Sequence, residues 1–560
     1  MDLAEVQNMV GVKEGTLSRL RNRMDGDKDL YYLKPYEMLD NKRPMTGVDN
    51  VTSNEPAVFA NQVISNILSA NQQRVVEGEG VKPKQTVLIE EFLRDIEYEI
   101  DQILLNQNEF GLFPFAAEKM CIRGSSAERV TLYKKDGELR LDGVLPIDTR
   151  YLSYEVDRKG LVWAAYHTNR TKEMILSEYD VKVEGDNNDS CDFWSREENW
   201  VWTGTKKLHW EKNKYRDLNG EPYVPFVIQG APLGSGLKDS DAPEHKNESI
   251  YMLNRGIYPE LHKTATILQT LNRLAMRPGM QWENPEGVLG EIPEGNPYIS
   301  GEVTAVAQGM GYKPVPITDV IAATRLWYSM LMNALQKGSL PSVDYGNLTF
   351  PLPAVAILTL MATRDRVYAP RFQALAQLQQ KRSKMLITQL IKMGGAIELG
   401  EEGHRKAYHA TELKGAYTIK YKYFSKSPME EAASYAVANQ AKDYLPDRMI
   451  LEKIIKVEDP EGTMQERRAE KAEQLSPVIA LYRHAHSLVD QADNNDDEQK
   501  RMEAEIITEQ GVNLLRQQRM GQMPELPEGE KTPAHKELMP MFGGGGTGRR
   551  ITPEMEGGEE

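Results

Sequence analysis

The chain predicts an α+β fold that is mainly helical, on three observations. Apolar residues recur at intervals of three, four and seven through 50–110, 247–276, 318–338, 354–393 and 428–520, the spacing of one helix face. Between 115 and 235 the period falls to two, and the turn pairs Asp136-Gly137 and Asn219-Gly220 appear. Two stretches, 277–317 and 339–354, are broken by proline and glycine and separate long helices.

In the first part, 1–114, Ser53-Asn54-Glu55-Pro56 reads as a helix start, a capping side chain followed by proline in the first turn. Val58, Phe59, Val63, Ile67 and Leu68 follow at helical spacing, and Leu88, Phe92, Ile96, Ile100 and Ile103 form the next stripe. A sheet-bearing region, 115–246, follows. Val130 and Leu132 face Leu139 and Leu141 across Asp136-Gly137, and 151–156 faces 161–166 across the turn at 157–160. Trp200, Trp202, Leu208 and Trp210 run to Asn219-Gly220 and close on 223–228.

From Asn247, the residues Ile250, Leu253, Ile257, Leu261, Leu268, Leu271 and Ala275 step along one helix of about 40 Å. Pro278-Gly279 stops it, and a compact non-helical lobe fills 277–317. Thr318-Asp319 caps a second helix, through Ile321, Leu326, Tyr328, Leu331 and Leu335, that stops at Gly338. Residues 339–354 are irregular. The next part, 355–427, holds a long helix and a strand at 417–423. Pro370 removes one helical hydrogen bond and clashes with the preceding turn, which predicts a kink near 367–370. Gly394-Gly395 ends that helix. Helical segments at 428–443, 446–456 and 463–520 make up a cap over 428–522, and 523–560 has the composition of a disordered tail.

The 560 residues carry 68 Lys and Arg against 83 Asp and Glu, a formal charge of −15. This balance argues against a protein that grips nucleic acid, since grip requires cations that displace phosphate counterions. It is compatible with one that lets DNA pass. The two cysteines, Cys121 and Cys191, exclude a disulfide framework and read as free thiols in a reducing cytoplasm. No signal peptide and no apolar run of about 18 residues is seen, so a soluble cytoplasmic product is expected.

Signatures of chemistry are missing. No Gly-rich loop ends in Gly-Lys-Ser/Thr, and Gly204-Thr205-Lys206-Lys207 lies between tryptophans on a strand, where no phosphate cradle forms. His484-Ala485-His486 would place its rings about 200° apart on a helix, the wrong geometry for a shared metal. Asp493, Asp496 and Asp497 lack the glycine and terminal glutamate of a calcium loop. No enzyme activity, cofactor or metal is expected.

The order of elements resembles the portal proteins of tailed bacteriophages. Arg21-Asn22-Arg23-Met24, Leu30-Tyr31-Tyr32 and Asn50-Val51-Thr52-Ser53-Asn54-Glu55-Pro56 are similar to that family's opening. Leu145-Pro146-Ile147-Asp148 and Val162-Trp163-Ala164-Ala165-Tyr166 resemble its wing strands, and Asn219-Gly220 to Pro225-Phe226-Val227 its step into the stem. The run from Gly338-Ser339-Leu340-Pro341 to Tyr345-Gly346, with Tyr368-Ala369-Pro370-Arg371, resembles its loop and helix kink. The likeness covers about 20–520. It implies a wing, a first stem helix at 247–276, a clip at 277–317, a second stem helix at 318–338, a tunnel loop at 339–354, a kinked helix at 355–394 and a helical crown.

The resemblance implies a ring of about twelve subunits at one capsid vertex of the virion. Double-stranded DNA passes through it, driven by the terminase large subunit. Major capsid, scaffolding and head-completion or tail adaptor proteins are its other implied partners. The implied channel candidates are Lys337, Asp344, Asn347 and Thr349. Glu283, Glu286, Glu291 and Glu294 face the channel or the motor, or serve solubility. Trp282 and Tyr298 are contact anchors or core residues. Lys381-Arg382-Ser383-Lys384 reads as a solvated helix face or as inter-subunit ion pairs, with DNA contact the lesser alternative. Other phage connectors, a helical scaffold and, last, a DNA-processing enzyme are the alternative readings.

Overall fold

The computed structural model describes residues 2–283, 311–314, 320–340, 354–424 and 435–519, less 79–80, 82, 136–137, 237–238, 240–241, 277, 402, 436, 440, 456, 458–462, 465–466, 468–469, 472–475 and 496–497. They fall into two compact units, Met1–Gly462 and Thr463–Glu560. The fold is α+β with helix predominant.

Helix α1 (Leu3–Tyr31) opens on a capping box. Asp2 accepts from the Glu5 N–H at 2.8 Å, and Glu5 accepts from the Asp2 N–H at 3.1 Å. Its Val6 and Val10 bury among Trp163, Phe193, Trp200 and Trp202. The short hairpin β1 (Leu39–Asp40) and β2 (Arg43–Pro44) leads to α2 (Glu55–Leu68). Asn54 holds the cap position without a side-chain bond; the Ser53 hydroxyl instead accepts from the Glu55 N–H at 3.4 Å. Phe59, Val63 and Ile67 are buried, whereas Val58 and Leu68 are exposed. Each of those two lies about 140° from Val63 around the helix, too far to share its face.

Strand β3 (Asn71–Glu77) precedes α3 (Pro83–Asn106) and α4 (Leu112–Ile122). Phe92, Ile96 and Ile100 bury as their spacing predicts. Strands β4 (Ser125–Arg129), β5 (Tyr133–Lys135), β6 (Glu138–Arg140) and β7 (Leu145–Ile147) follow, and β5 pairs with β6 as expected for the Asp136-Gly137 hairpin. Next come β8 (Leu152–Asp157), β9 (Gly160–Arg170), α5 (Lys172–Tyr179), β10 (Asn188–Ser195), β11 (Glu198–Thr203) and β12 (Lys206–Lys212). The five strands form one antiparallel sheet in the order β12-β11-β10-β9-β8. β13 (Phe226–Gly230) does not close on β12: it pairs with β4, whose other edge takes β7. Phe226 thereby reaches the interior beside Ala127 and Ile147, and Val227, on the other face of the strand, joins the main core.

The expected helix from Asn247 begins ten residues later, as α6 (Ile257–Met276), about 30 Å long. Asn247 has φ +54°. Beyond it the buried polar groups of Glu248 and Ser249 are taken by Arg255 and Asp27, which holds 249–256 in turns. β14 (Met280–Glu283), β15 (Gly311–Pro314) and α7 (Val320–Gly338) follow. α8 (Ala354–Met393) then runs without a break through Pro370. The Arg371 guanidinium donates to the Val367 carbonyl at 2.6 Å, one turn back.

Gly394 and Gly395, at φ +64° and +96°, end α8 where only glycine turns this way without strain. β16 (Ala396–Leu399) and β17 (Lys406–His409) form a hairpin, and β18 (Thr418–Phe424) pairs along its length with β3. One core joins α2, α3, α4, the C-terminal half of α8 and β18.

Residues 447–455 continue the first unit in a helical turn and a π-helical turn. In the second unit the single helix expected over 463–520 is divided. Helices Pro477–Asn495 and Glu498–Arg519 pack on one another, with the Tyr482 ring against Gly511. His484 and His486 are both exposed.

Candidate assembly and channel site

Helix α6 is fixed to the extended segment 47–53 by a ladder of side chains. The N–H groups of Asp49, Val51 and Ser53 donate to Thr270 Oγ1 at 3.0 Å, Thr266 Oγ1 at 2.9 Å and His262 Nδ1 at 3.0 Å. Alternate residues of an extended chain advance about 6.7 Å and four helical residues about 6 Å, so each rung meets the next helical turn. The intervening residues bind the other way: Asn50 Oδ1 accepts from Met38 N at 3.0 Å and Thr52 Oγ1 from Tyr36 N at 2.8 Å. Arg273 closes the far end on Asp49 at 2.6 Å. Nδ1 of His262 is an acceptor and therefore unprotonated, and burial lowers the pKa of the ring.

The base of α6 is tied down by buried charge. Arg255 reaches Asp27 at 2.7 Å and Glu248 at 2.6 Å, and Arg23 lies 3.4 Å from Glu248. Burial alone would raise the Glu248 pKa, but bonds from Arg255 and His245 bring it below the ordinary value. Gly338, at the end of α7, admits Asn254 so closely that a Cβ there would come 2.1 Å from its Oδ1. The Asn254 amide donates to the Leu335 carbonyl at 3.2 Å.

Helix α7 has two apolar strips. Leu331 and Leu335 are buried, with Tyr328 and Met332 partly so, and this strip packs into the core where α6 and α7 meet. Leu326 and Met330 lie about 150–170° around the helix from the centre of that strip and Trp327 about 90° from it, exposed by 65%, 53% and 46%. Between the two runs a polar strip, Arg325, Ser329, Asn333 and Gln336, spaced by four, four and three. No Asp or Glu occurs between Val320 and Gly338. A helix apolar on two faces is the pattern of one buried on both, yet the second face is bare in the single chain.

Of the predicted contact residues, Trp282 lies on β14 and meets the Tyr312 ring edge-on, with centroids 5.2 Å apart. It is half-buried, and its indole N–H is buried without a hydrogen-bond partner among the described residues. Glu283 is ion-paired to Lys313 across the hairpin. Lys337 is exposed in the last turn of α7, on the side of Leu326 and Met330. Glu286, Glu291, Glu294, Tyr298, Asp344, Asn347 and Thr349 lie outside the described residues, as does the tail 523–560.

The basic run on α8 differs from expectation. Arg382 is buried inside this chain, bonded to Glu128 at 2.6 Å and Glu97 at 2.8 Å, because its position on α8 faces the core strip of Leu378 and Leu386. Only its neighbours Lys381 and Lys384 are exposed. Sequence reading also missed the ladder, whose Thr and His side chains carry no distinctive spacing apart from the interval of four.

Among the described residues no helix is long and apolar enough to cross a membrane, and no three His, Cys, Asp or Glu gather as a metal site. No family model matches the chain, and no curated protein does. Three solved structures are similar at 11% identity. The neck of an empty gene transfer agent particle computed with C6 symmetry aligns over 71% of this chain and 90% of its own, at a TM-score of 0.39. The virion of the native particle aligns over 70% and 88% at 0.36, and its neck computed with C12 symmetry over 71% and 88% at 0.33. Scores this low leave the function to be read from the residues.

Proposed function

We propose that the chain is a portal subunit: a non-enzymatic protein that closes into a ring at one capsid vertex and forms the channel for packaging and ejecting double-stranded DNA. The observation that carries this reading is the bare apolar strip Leu326, Trp327 and Met330 on α7. A second copy packing there in a head-to-tail ring would bury it, and each copy would leave the same strip for the next. The order of helix, hairpin root, helix, proline-rich segment and long proline-containing helix supports the same reading.

In such a ring α7 has its core strip on its own subunit and its outer strip on the neighbour. The polar strip Arg325, Ser329, Asn333 and Gln336 then faces the channel. A wall of amides and hydroxyls with few cations gives DNA little to pin it, since tight binding requires many lysines and arginines on phosphates. Asp344, Asn347 and Thr349 would extend this lining at the tunnel loop, and Lys337, one turn beyond Asn333, would stand at its edge beside the subunit contact. Trp282, Glu283, Glu286, Glu291, Glu294 and Tyr298 would present the clip to the terminase large subunit and later to head-completion or tail adaptor proteins. Capsid and scaffolding proteins would hold the wing, and Pro370 would set the bend of the long helix.

The test is a double variant, L326E/W327E, compared with the parent by native mass spectrometry. Assembly is expected to disappear while the melting temperature stays within a few degrees, because both side chains are already exposed. Retained rings in the variant would refute the seat on α7.

A further inference from the structure

Away from the stem, α8 faces strand β18 and the turn around Leu218 across a cavity of about 600 Å³. Lys384, Thr388 and Lys392 line it at intervals of four, one above another on the same helix face, and Lys414 approaches from the opposite wall. Ile387, Ile391 and Ile419 give it an apolar side. No aspartate or glutamate is among its described lining residues.

That absence stands out on this surface. Several basic side chains of this region end on carboxylates: Lys406 on Glu91, Lys420 on Glu77, Lys422 on Glu452 and Arg405 on Glu99. Among the described residues Lys392 has only the Leu218 carbonyl, at 3.3 Å. Three ammonium groups around one cavity repel one another, and an anion placed among them turns repulsion into attraction. The chain has a 15-charge excess of acid, so a carboxylate-free basic cavity is against the overall trend.

We propose that this cavity binds a phosphate-bearing ligand of nucleotide size. A phosphoryl group carries a charge of about −1.5 to −2 and three acceptor oxygens, which suits three lysines better than one carboxylate does. The apolar wall takes the base or sugar. The volume is within the roughly 300–1,000 Å³ of small-ligand pockets. The ligand is either a free nucleotide or a nucleotide unit within a DNA strand, whose diester carries a single charge. This site is independent of the ring reading, since all its residues belong to one chain.

The experiment is calorimetric titration of the full-length protein with deoxyadenosine monophosphate, deoxyadenosine, a thymidine decamer without terminal phosphates, and a hexaglutamate peptide. Deoxyadenosine monophosphate is expected to bind at least about tenfold tighter than deoxyadenosine. K384A/K392A is expected to weaken that binding about tenfold or more without changing the melting temperature, and K420A to leave it unchanged. A decamer that binds as tightly as the monophosphate assigns the site to DNA; binding by the monophosphate alone assigns it to a free nucleotide. Equal binding of nucleoside and nucleotide, undiminished binding by K384A/K392A, or tighter binding of hexaglutamate would each overturn the proposal.

Discussion

Arg382 donates from Nη1 to Glu128 Oε1 at 2.6 Å, and both side chains are almost completely buried. The second nitrogen reaches Glu97 at 2.8 Å, and Arg74 pairs with Glu97 from the other side. Burial disfavours a charged Arg382, yet the two carboxylates hold its pKa above the ordinary value. Burial likewise opposes the charge on Glu97, and Arg74 with Arg382 brings its pKa below the usual range. This cluster joins α3, β4 and α8 at the centre of the first unit.

Removing one partner from a buried pair leaves the other charge uncompensated. Arg382→Met is therefore expected to destabilise the chain by about 3–5 kcal/mol. Urea unfolding of the monomeric chain measures it. Lys384→Met, two residues on and on the opposite, exposed face of α8, should stay within about 0.5 kcal/mol.

His262 makes the ladder on α6 sensitive to pH. The bond from Ser53 N–H needs an unprotonated Nδ1, and the ring's folded pKa lies below 6.5 because it is buried. The Tyr36 ring lies tilted beside it with centroids 5.7 Å apart, while Asp29, Lys34 and Glu37 rim the adjoining surface. The unfolded chain thus takes up a proton before the folded chain does. The contribution is complete above about pH 6.5 and declines as pH falls from there towards the lowered folded value. Melting temperatures between pH 7.5 and 5 should show a smaller acid-side loss for His262→Gln than for the parent.

Gly124 turns at φ +81° with its α-carbon pressed on the backbone of Asn247, where a Cβ would come 1.8 Å from the carbonyl oxygen. Backbone cannot yield as a side-chain tip does. Gly124→Ala is expected to cost more than the roughly 1–3 kcal/mol of left-handed strain alone. Gly160, at φ +111° with nothing within 4 Å, should show the strain term only when changed to alanine. Thermal unfolding of the two variants separates the contributions.

Cys121 and Cys191 are free and buried. Burial pushes the Cys121 thiol up to about 12 and the Cys191 thiol well above its ordinary value. A thiol-specific reagent at pH 8 should therefore label neither cysteine in the folded chain and both in denaturant. Labelling of the native protein on the mixing timescale would contradict their packing.

Local patterns were legible where one element met one core. The stripe Phe92, Ile96, Ile100 and the alternation Ile419, Tyr421 lead directly to α3 and β18. The run Cys191–Trp194 in β10 was not recognised, because a strand buried on both faces loses its alternation. β13 pairs with β4 about a hundred residues earlier, a choice that no local turn encodes. Arg382 looked solvated among lysines because its carboxylates are 254 and 285 positions away. On α7 both apolar strips were present in the sequence, and the structure separates the one that packs inward from the one left bare.

The most direct test is the mass of the full-length protein by native mass spectrometry, with negative-stain images of the same sample. The portal account predicts closed rings of about twelve subunits with a central opening. A monodisperse monomer or dimer that persists at high protein concentration and high salt would contradict it.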